Sequence, residues 1–171
     1  LPILERYGIP SINFLIWENM TQGLHGSMTL EEAKTIADHP LVLLGSHTLT
    51  HPILTELKLD EARAEIIGSK RELERAFARP FDYFCYPTGA FNDPVMEFVK
   101  EAGYRLAFTT SRKRLDGRLE TYHSLKRIKI GPADNLFFFW IKVSGLTLYA
   151  DQLRDILHRL TAYMTNGKLS D

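Results

Sequence analysis

The chain has 171 residues, 44% hydrophobic and 25% charged, the balance of an ordinary globular domain with room for a real core. Its 21 basic and 21 acidic residues cancel, and no basic block or stripe stands out, so nucleic acid as a partner has no electrostatic support. No apolar run approaches the ~20 residues of a membrane-spanning helix, and the single cysteine, Cys85, leaves no internal disulfide to form.

The sequence opens at Leu1-Pro2 with neither a Met nor a signal-peptide pattern. Leu1 to Tyr7, closed by Gly8, reads as the last turn of a helix and its terminal glycine, as in a domain that begins upstream. Ser11 to Trp17 reads as a strand, followed by a polar loop holding Gly23, His25 and Gly26. Thr29 then caps a helix, with Glu32 completing a capping box and Ala33, Ile36 and Ala37 as the apolar face. His39-Pro40 ends it, and Leu41-Val42-Leu43-Leu44 is the next strand.

Leu59 to Phe77 is the longest helix, with Ala62, Ile66, Leu73, Ala76 and Phe77 as its stripe and Glu65, Arg71, Glu72 and Glu74 on the other side. Phe81 to Tyr86 is a strand that stops at Pro87-Thr88-Gly89. Asn92 or Asp93 caps a helix with Pro94 at its first position, and Gly103 closes it. Tyr104 to Thr110 is a strand, Ser111 to Arg118 a solvated basic loop, and Lys126 to Ile130 a strand. Asp134 to Val143 is an aromatic-rich helix, Asp151 to Met164 an amphipathic one, and 165–171 a frayed polar tail. Alternating strands and helices argue for a parallel α/β sheet or barrel with its site where strands end, in one domain over 1–171.

Two segments sit at such ends. In Gly45-Ser46-His47-Thr48-Leu49-Thr50-His51-Pro52, two imidazoles stand four residues apart just past a strand. On one short helical turn, ended by Pro52, both rings reach one ion, and neutral imidazole suits zinc. On spacing alone, one buried and one surface histidine serve as well. Tyr86-Pro87-Thr88-Gly89 forms a tight turn that can aim a backbone N–H outward, or a plain turn before a capped helix.

Taken together, Ser46 to Pro52, Leu54, Glu65-Ile66, Phe84 to Gly89, Ala102-Gly103-Tyr104 and Ala107 to Thr110 resemble the polysaccharide deacetylase family, carbohydrate esterase family four. Leu1 to Pro10 and Met28-Thr29 fit as well, so the resemblance runs over residues 1 to 145. It implies an irregular (β/α) barrel and a metal-dependent hydrolase that removes N-acetyl groups, as linear amides, from a polysaccharide or oligosaccharide. It implies His47 and His51 as ligands of a divalent ion, most simply zinc, and the backbone N–H of Thr88 as oxyanion donor. Ser46 or Thr48 would support the loop, and Tyr86, Pro87 and Gly89 are candidates for substrate contact. It also implies an N-acetylated glycan as partner and an extracytoplasmic or cell-envelope address.

The departures from the family pattern are specific. The Thr-Phe-Asp-Asp motif that supplies a third ligand and the general base lies before the Leu-Pro-Ile-Leu helix, so the expectation is an incomplete barrel lacking its first strand and inactive alone. Cys85 stands where many members carry Arg, and Thr88 where many carry Tyr or Phe. Arg127 is the candidate replacement cation: in Leu125 to Ile130, alternation turns Ile128 and Ile130 to one face and Arg127 inward, unless Arg127 is a surface residue on an edge strand. The late Leu-x-His motif has only a helical imitation in Ile156-Leu157-His158, while His25, His39 and His123 have no supporting context and Cys85 reads as an inert buried thiol. Two rivals remain: a non-catalytic carbohydrate-binding relative of the same fold, and a structural or interaction domain with an incidental histidine pair.

Overall fold

The computed structural model describes residues 1–24, 26–110, 121–144 and 146. The basic loop, His25, His158, the helix expected over 151–164 and the tail lie outside the described residues. The described residues fall into two units, one ending at Arg127 and one beginning at Ile128.

The first unit holds α1 (Pro2–Tyr7), β1 (Ser11–Leu15), α2 (Trp17–Gln22), α3 (Leu30–Ala37), β2 (Val42–Ser46), α4 (Leu59–Phe77), β3 (Tyr83–Cys85), α5 (Asp93–Glu101), β4 (Leu106–Thr109) and β5 (Leu125–Lys126). The strands form one five-stranded parallel sheet in the order β1-β2-β3-β4-β5. A sheet in which every neighbour follows in sequence is wound in one direction. Crossovers of a single hand then place the helices on one face and leave the other as the inner face of a barrel-type arrangement. Burial agrees. Leu15, Val42, Leu44, Phe84 and Ala107 are buried on the helix side, whereas their alternates Phe14, Tyr83 and Phe108 are half-buried and Leu43 is exposed. The sheet is not closed among the described residues, and its α/β class is the one expected.

Helices dock where their stripes dictate. On α4, Ala62, Ile66, Ser69 and Leu73 are buried at the three- and four-residue spacing of one face. Ile66 joins Leu54, Phe84, Tyr86, Val95, Val99 and Tyr104 in one cluster, while Leu73 joins Leu15, Met20, Val42 and Phe81 in another. Each such side chain contributes about 1.5–3 kcal/mol when fully buried. The Thr29–Glu32 capping box forms as read. Asn92 rather than Asp93 caps α5, accepting from Val95 N at 3.1 Å.

Several element bounds differ from the sequence reading: β2 runs on to Ser46, β3 and β4 are shorter than the strands read over Phe81 to Tyr86 and Tyr104 to Thr110, and three further differences have a local cause. Trp17 is not the end of a strand but the first residue of α2, because the apolar run Phe14 to Trp17 carries no period that separates the two. That helix ends where Gly23 adopts a left-handed φ of 61°. The strand expected over Lys126 to Ile130 stops at Lys126, since its partner β4 ends at Thr109, the residue paired with Lys126. In the second unit, α6 spans Leu136–Val143 and not Asp134–Val143. Asn135 caps it through Phe138 N, and Asp134 instead accepts from Gly131 N and pairs with Lys142 at 2.7 Å. Ile128 and Ile130 are exposed. No helix among the described residues is long and apolar enough to cross a membrane.

Candidate metal centre

The site begins at the carboxyl end of β2, where His47 N still donates to Leu15 O at 2.8 Å. Beyond it the chain does not make the helical turn expected from the four-residue spacing. Thr48 and His51 take left-handed φ values of 71° and 65°, which cost a non-glycine residue roughly 1–2 kcal/mol each. The path is held from within by Thr48, fully buried, whose Oγ1 accepts from His51 N at 3.0 Å.

This irregular loop nonetheless brings the two rings together. His47 Nε2 and His51 Nε2 are 3.2 Å apart, with ring centroids at 4.7 Å and planes at 69°. Two nitrogens bound tetrahedrally at about 2.0–2.1 Å would be about 3.3 Å apart, so the pair fits two ligands of one ion. Tautomer also fits. His47 Nδ1 lies 2.6 Å from the Cys85 carbonyl, which can only accept, so Nδ1 carries the proton and Nε2 keeps its lone pair. Burial, together with the nearby His51 and Arg127, pushes the His47 pKa down to about 4 despite that bond, keeping the ring neutral. No group of three or more His, Cys, Asp or Glu residues gathers here among the described residues.

Glu65 counts among the residues that carry the resemblance, but sequence reading gave it no role at the site. Placed among the solvent-side charges of α4, it is half-buried and turned onto the histidine loop. Its Oε2 accepts from Leu49 N at 2.9 Å and Thr50 N at 3.0 Å, and Oε1 from Thr50 Oγ1 at 2.8 Å. A signal was available: Glu65 follows Ala62 by three and precedes Ser69 by four, on the flank of the buried stripe.

The second segment is a 3-10 turn, Pro87–Gly89, with Thr88 exposed and left-handed at φ 56°. Pro87 O accepts from Thr88 Oγ1 at 2.6 Å and Ala90 N at 3.2 Å. From the end of β4, Thr110 Oγ1 donates to Thr88 O and Thr109 Oγ1 to Gly89 O. The side chain of Tyr86 is placed in the core rather than at a surface, stacked on Phe91 and donating to His123 O at 2.9 Å. Pro87 and Gly89 are also buried, so none of these three positions presents an exposed surface, and Thr88 is the exposed residue of the turn.

Arg127 follows β5 and reaches the inner face. Its guanidinium donates to Cys85 Sγ at 3.0 Å and lies over the Phe14 ring at 5.5 Å. A cationic neighbour to Cys85 was not visible in sequence. Burial still dominates and raises the thiol to about 11, so it stays protonated. His39 and His123 have structural partners, Glu5 and the Tyr104 carbonyl.

The polysaccharide deacetylase family model matches residues 1–107, and the chain belongs to that family of carbohydrate deacetylases. No curated protein sequence matches it. Among solved structures it is similar to a Streptococcus pyogenes deacetylase in complex with acetate, at TM-score 0.71 and 25% identity, covering 82% of this chain and 62% of that one. A polysaccharide deacetylase from Bacillus cereus matches in fold at TM-score 0.67 and 24% identity, over 79% of this chain and 42% of that one. A CE4 family pseudoenzyme from Bacillus anthracis matches at 0.54 and 25%, over 62% and 35%. The chain thus spans less than two thirds of the length of these relatives.

Proposed function

We propose that this chain is the core of a metal-dependent hydrolase that removes N-acetyl groups from a polysaccharide or oligosaccharide, with zinc the simplest ion. The observation that carries this reading is the convergence of His47 Nε2 and His51 Nε2 to 3.2 Å with the His47 proton tied to the Cys85 carbonyl. When bound, a divalent ion supplies Lewis acidity to an amide carbonyl and to water. The chain's own residues do the rest. His47 and His51 hold the ion, and a third protein ligand comes from outside the described residues. The backbone N–H of Thr88 donates to the oxygen that gains charge as the acetamide carbon becomes tetrahedral. Arg127 holds an acidic general base ionised, a role its exposed side chain beside Cys85 permits.

The test uses zinc and an N-acetylglucosamine oligomer. The imidazole resonances of His47 and His51 are expected to respond to zinc together, and His47→Ala to abolish the response. In the whole protein, His51→Ala should cost acetate release more than the roughly 100-fold typical of a supporting residue. Arg127→Met should lose turnover while keeping zinc. A second reading, a non-catalytic carbohydrate-binding relative, is favoured by the two-histidine count among the described residues. Oligomer binding without zinc-dependent acetate release would establish it instead.

A further inference from the structure

We propose that Glu65 is the positioning residue of the histidine pair: it clamps the loop between His47 and His51 so that the two rings are aligned before any ion arrives. The proposal rests on reading the pair as metal ligands, and it adds the device that sets them. Two of the three residues between the histidines, Leu49 and Thr50, direct their backbone N–H groups at a single Glu65 oxygen, while the Thr50 hydroxyl donates to the other. Three donors thus converge on one carboxylate, and no basic side chain among the described residues pairs with it. A helix-surface glutamate directed at backbone amides rather than a lysine or arginine is serving the loop. With both oxygens engaged, Glu65 is no ligand itself and acts through His47 and His51.

The same helix provides the apolar half of the clamp. Leu49 lays its side chain on Gly68, one turn beyond Glu65, where an added Cβ would stand 2.8 Å from Leu49 Cδ1. From the opposite side, α2 engages the loop carbonyls: Glu18 N donates to Leu49 O at 2.9 Å and Trp17 N to Thr48 O at 3.3 Å. The loop is therefore held on both flanks. Because Thr48 and His51 are left-handed without being glycine, its relaxed form would follow another path and part the rings. Glu65 is the side-chain restraint from α4 that opposes this, alongside the Thr48 hydroxyl and the α2 amides.

Glu65→Ala and Glu65→Gln in the full chain test the idea. Glutamine keeps an oxygen for the two amides and an NH₂ for the Thr50 hydroxyl, so it should rescue what alanine loses. The metal-free readout is the nuclear Overhauser contact between the His47 and His51 rings, with folding checked by circular dichroism. It is expected in the native chain and in Glu65→Gln, and lost in folded Glu65→Ala. Zinc affinity, followed on the same two imidazoles, should fall about 10–100-fold in Glu65→Ala and recover in Glu65→Gln. A ring contact that survives in Glu65→Ala overturns the clamp. So does a zinc affinity unmoved by Glu65→Ala in a chain whose binding His47→Ala abolishes. Zinc binding indifferent to His47→Ala overturns the metal reading instead, and the ring contact still decides on the clamp.

Discussion

Phe14 lies over the bare Cα of Gly45, its partner in the β1–β2 ladder. A Cβ on Gly45 would stand 2.7 Å from two carbons of that ring and 3.0 Å from the Tyr83 carbonyl oxygen. The ring cannot move freely, because it also packs against Phe108 at 5.5 Å and carries the Arg127 guanidinium. Gly45→Ala is therefore expected to destabilise the chain by about 1–3 kcal/mol, the range for overpacking. A urea midpoint no lower than that of the native chain would contradict this.

His47 makes stability pH-dependent. Its folded pKa is about 4, below the about 6.5 of an unfolded histidine, so the unfolded chain takes up a proton that the folded chain refuses. The contribution is complete above about pH 6.5, is lost as pH falls, and stops falling below about pH 4. Its size is on the order of 3 kcal/mol. Unfolding titrations with chelator present, compared between the native chain and His47→Gln, isolate it. The variant should show the shallower dependence across that window, and parallel curves would count against the assignment.

The Cys85 thiol should resist alkylation. It is buried and held protonated, with its pKa raised to about 11 even though Arg127 favours the thiolate. At about pH 8, labelling by iodoacetamide is expected to proceed only at the rate of unfolding and to become immediate in urea. Labelling of the native chain as fast as a free thiol would show that the arginine outweighs the burial.

How much of this was legible in sequence depended on range. The Thr29–Glu32 box and the full span of α4 were read correctly, because the groups that decide them lie within one helical turn or along one stripe. The histidine pair was visible by residue type and spacing, but its path was not. Left-handed backbone at Thr48 and His51 is sustained by contacts with α4 and α2, and no local rule assigns it. Alternation left Arg127 either inward or on the surface of an edge strand; it is exposed, just past β5, and its meeting with Cys85 required knowing that β3, β4 and β5 are neighbours. Trp17 was misassigned because an unbroken apolar run suits a strand end and a helix start equally.

The two bonds to the Pro87 carbonyl bear on timing. That carbonyl and the Thr88 N–H belong to one planar peptide and point in opposite directions. With Pro87 O held by Thr88 Oγ1 and Ala90 N, the peptide cannot turn over without surrendering both bonds. Threonines 109 and 110 brace the next two carbonyls from a different strand. The direction of the Thr88 N–H, the proposed oxyanion donor, is thus decided when the chain folds and owes nothing to a later arrival.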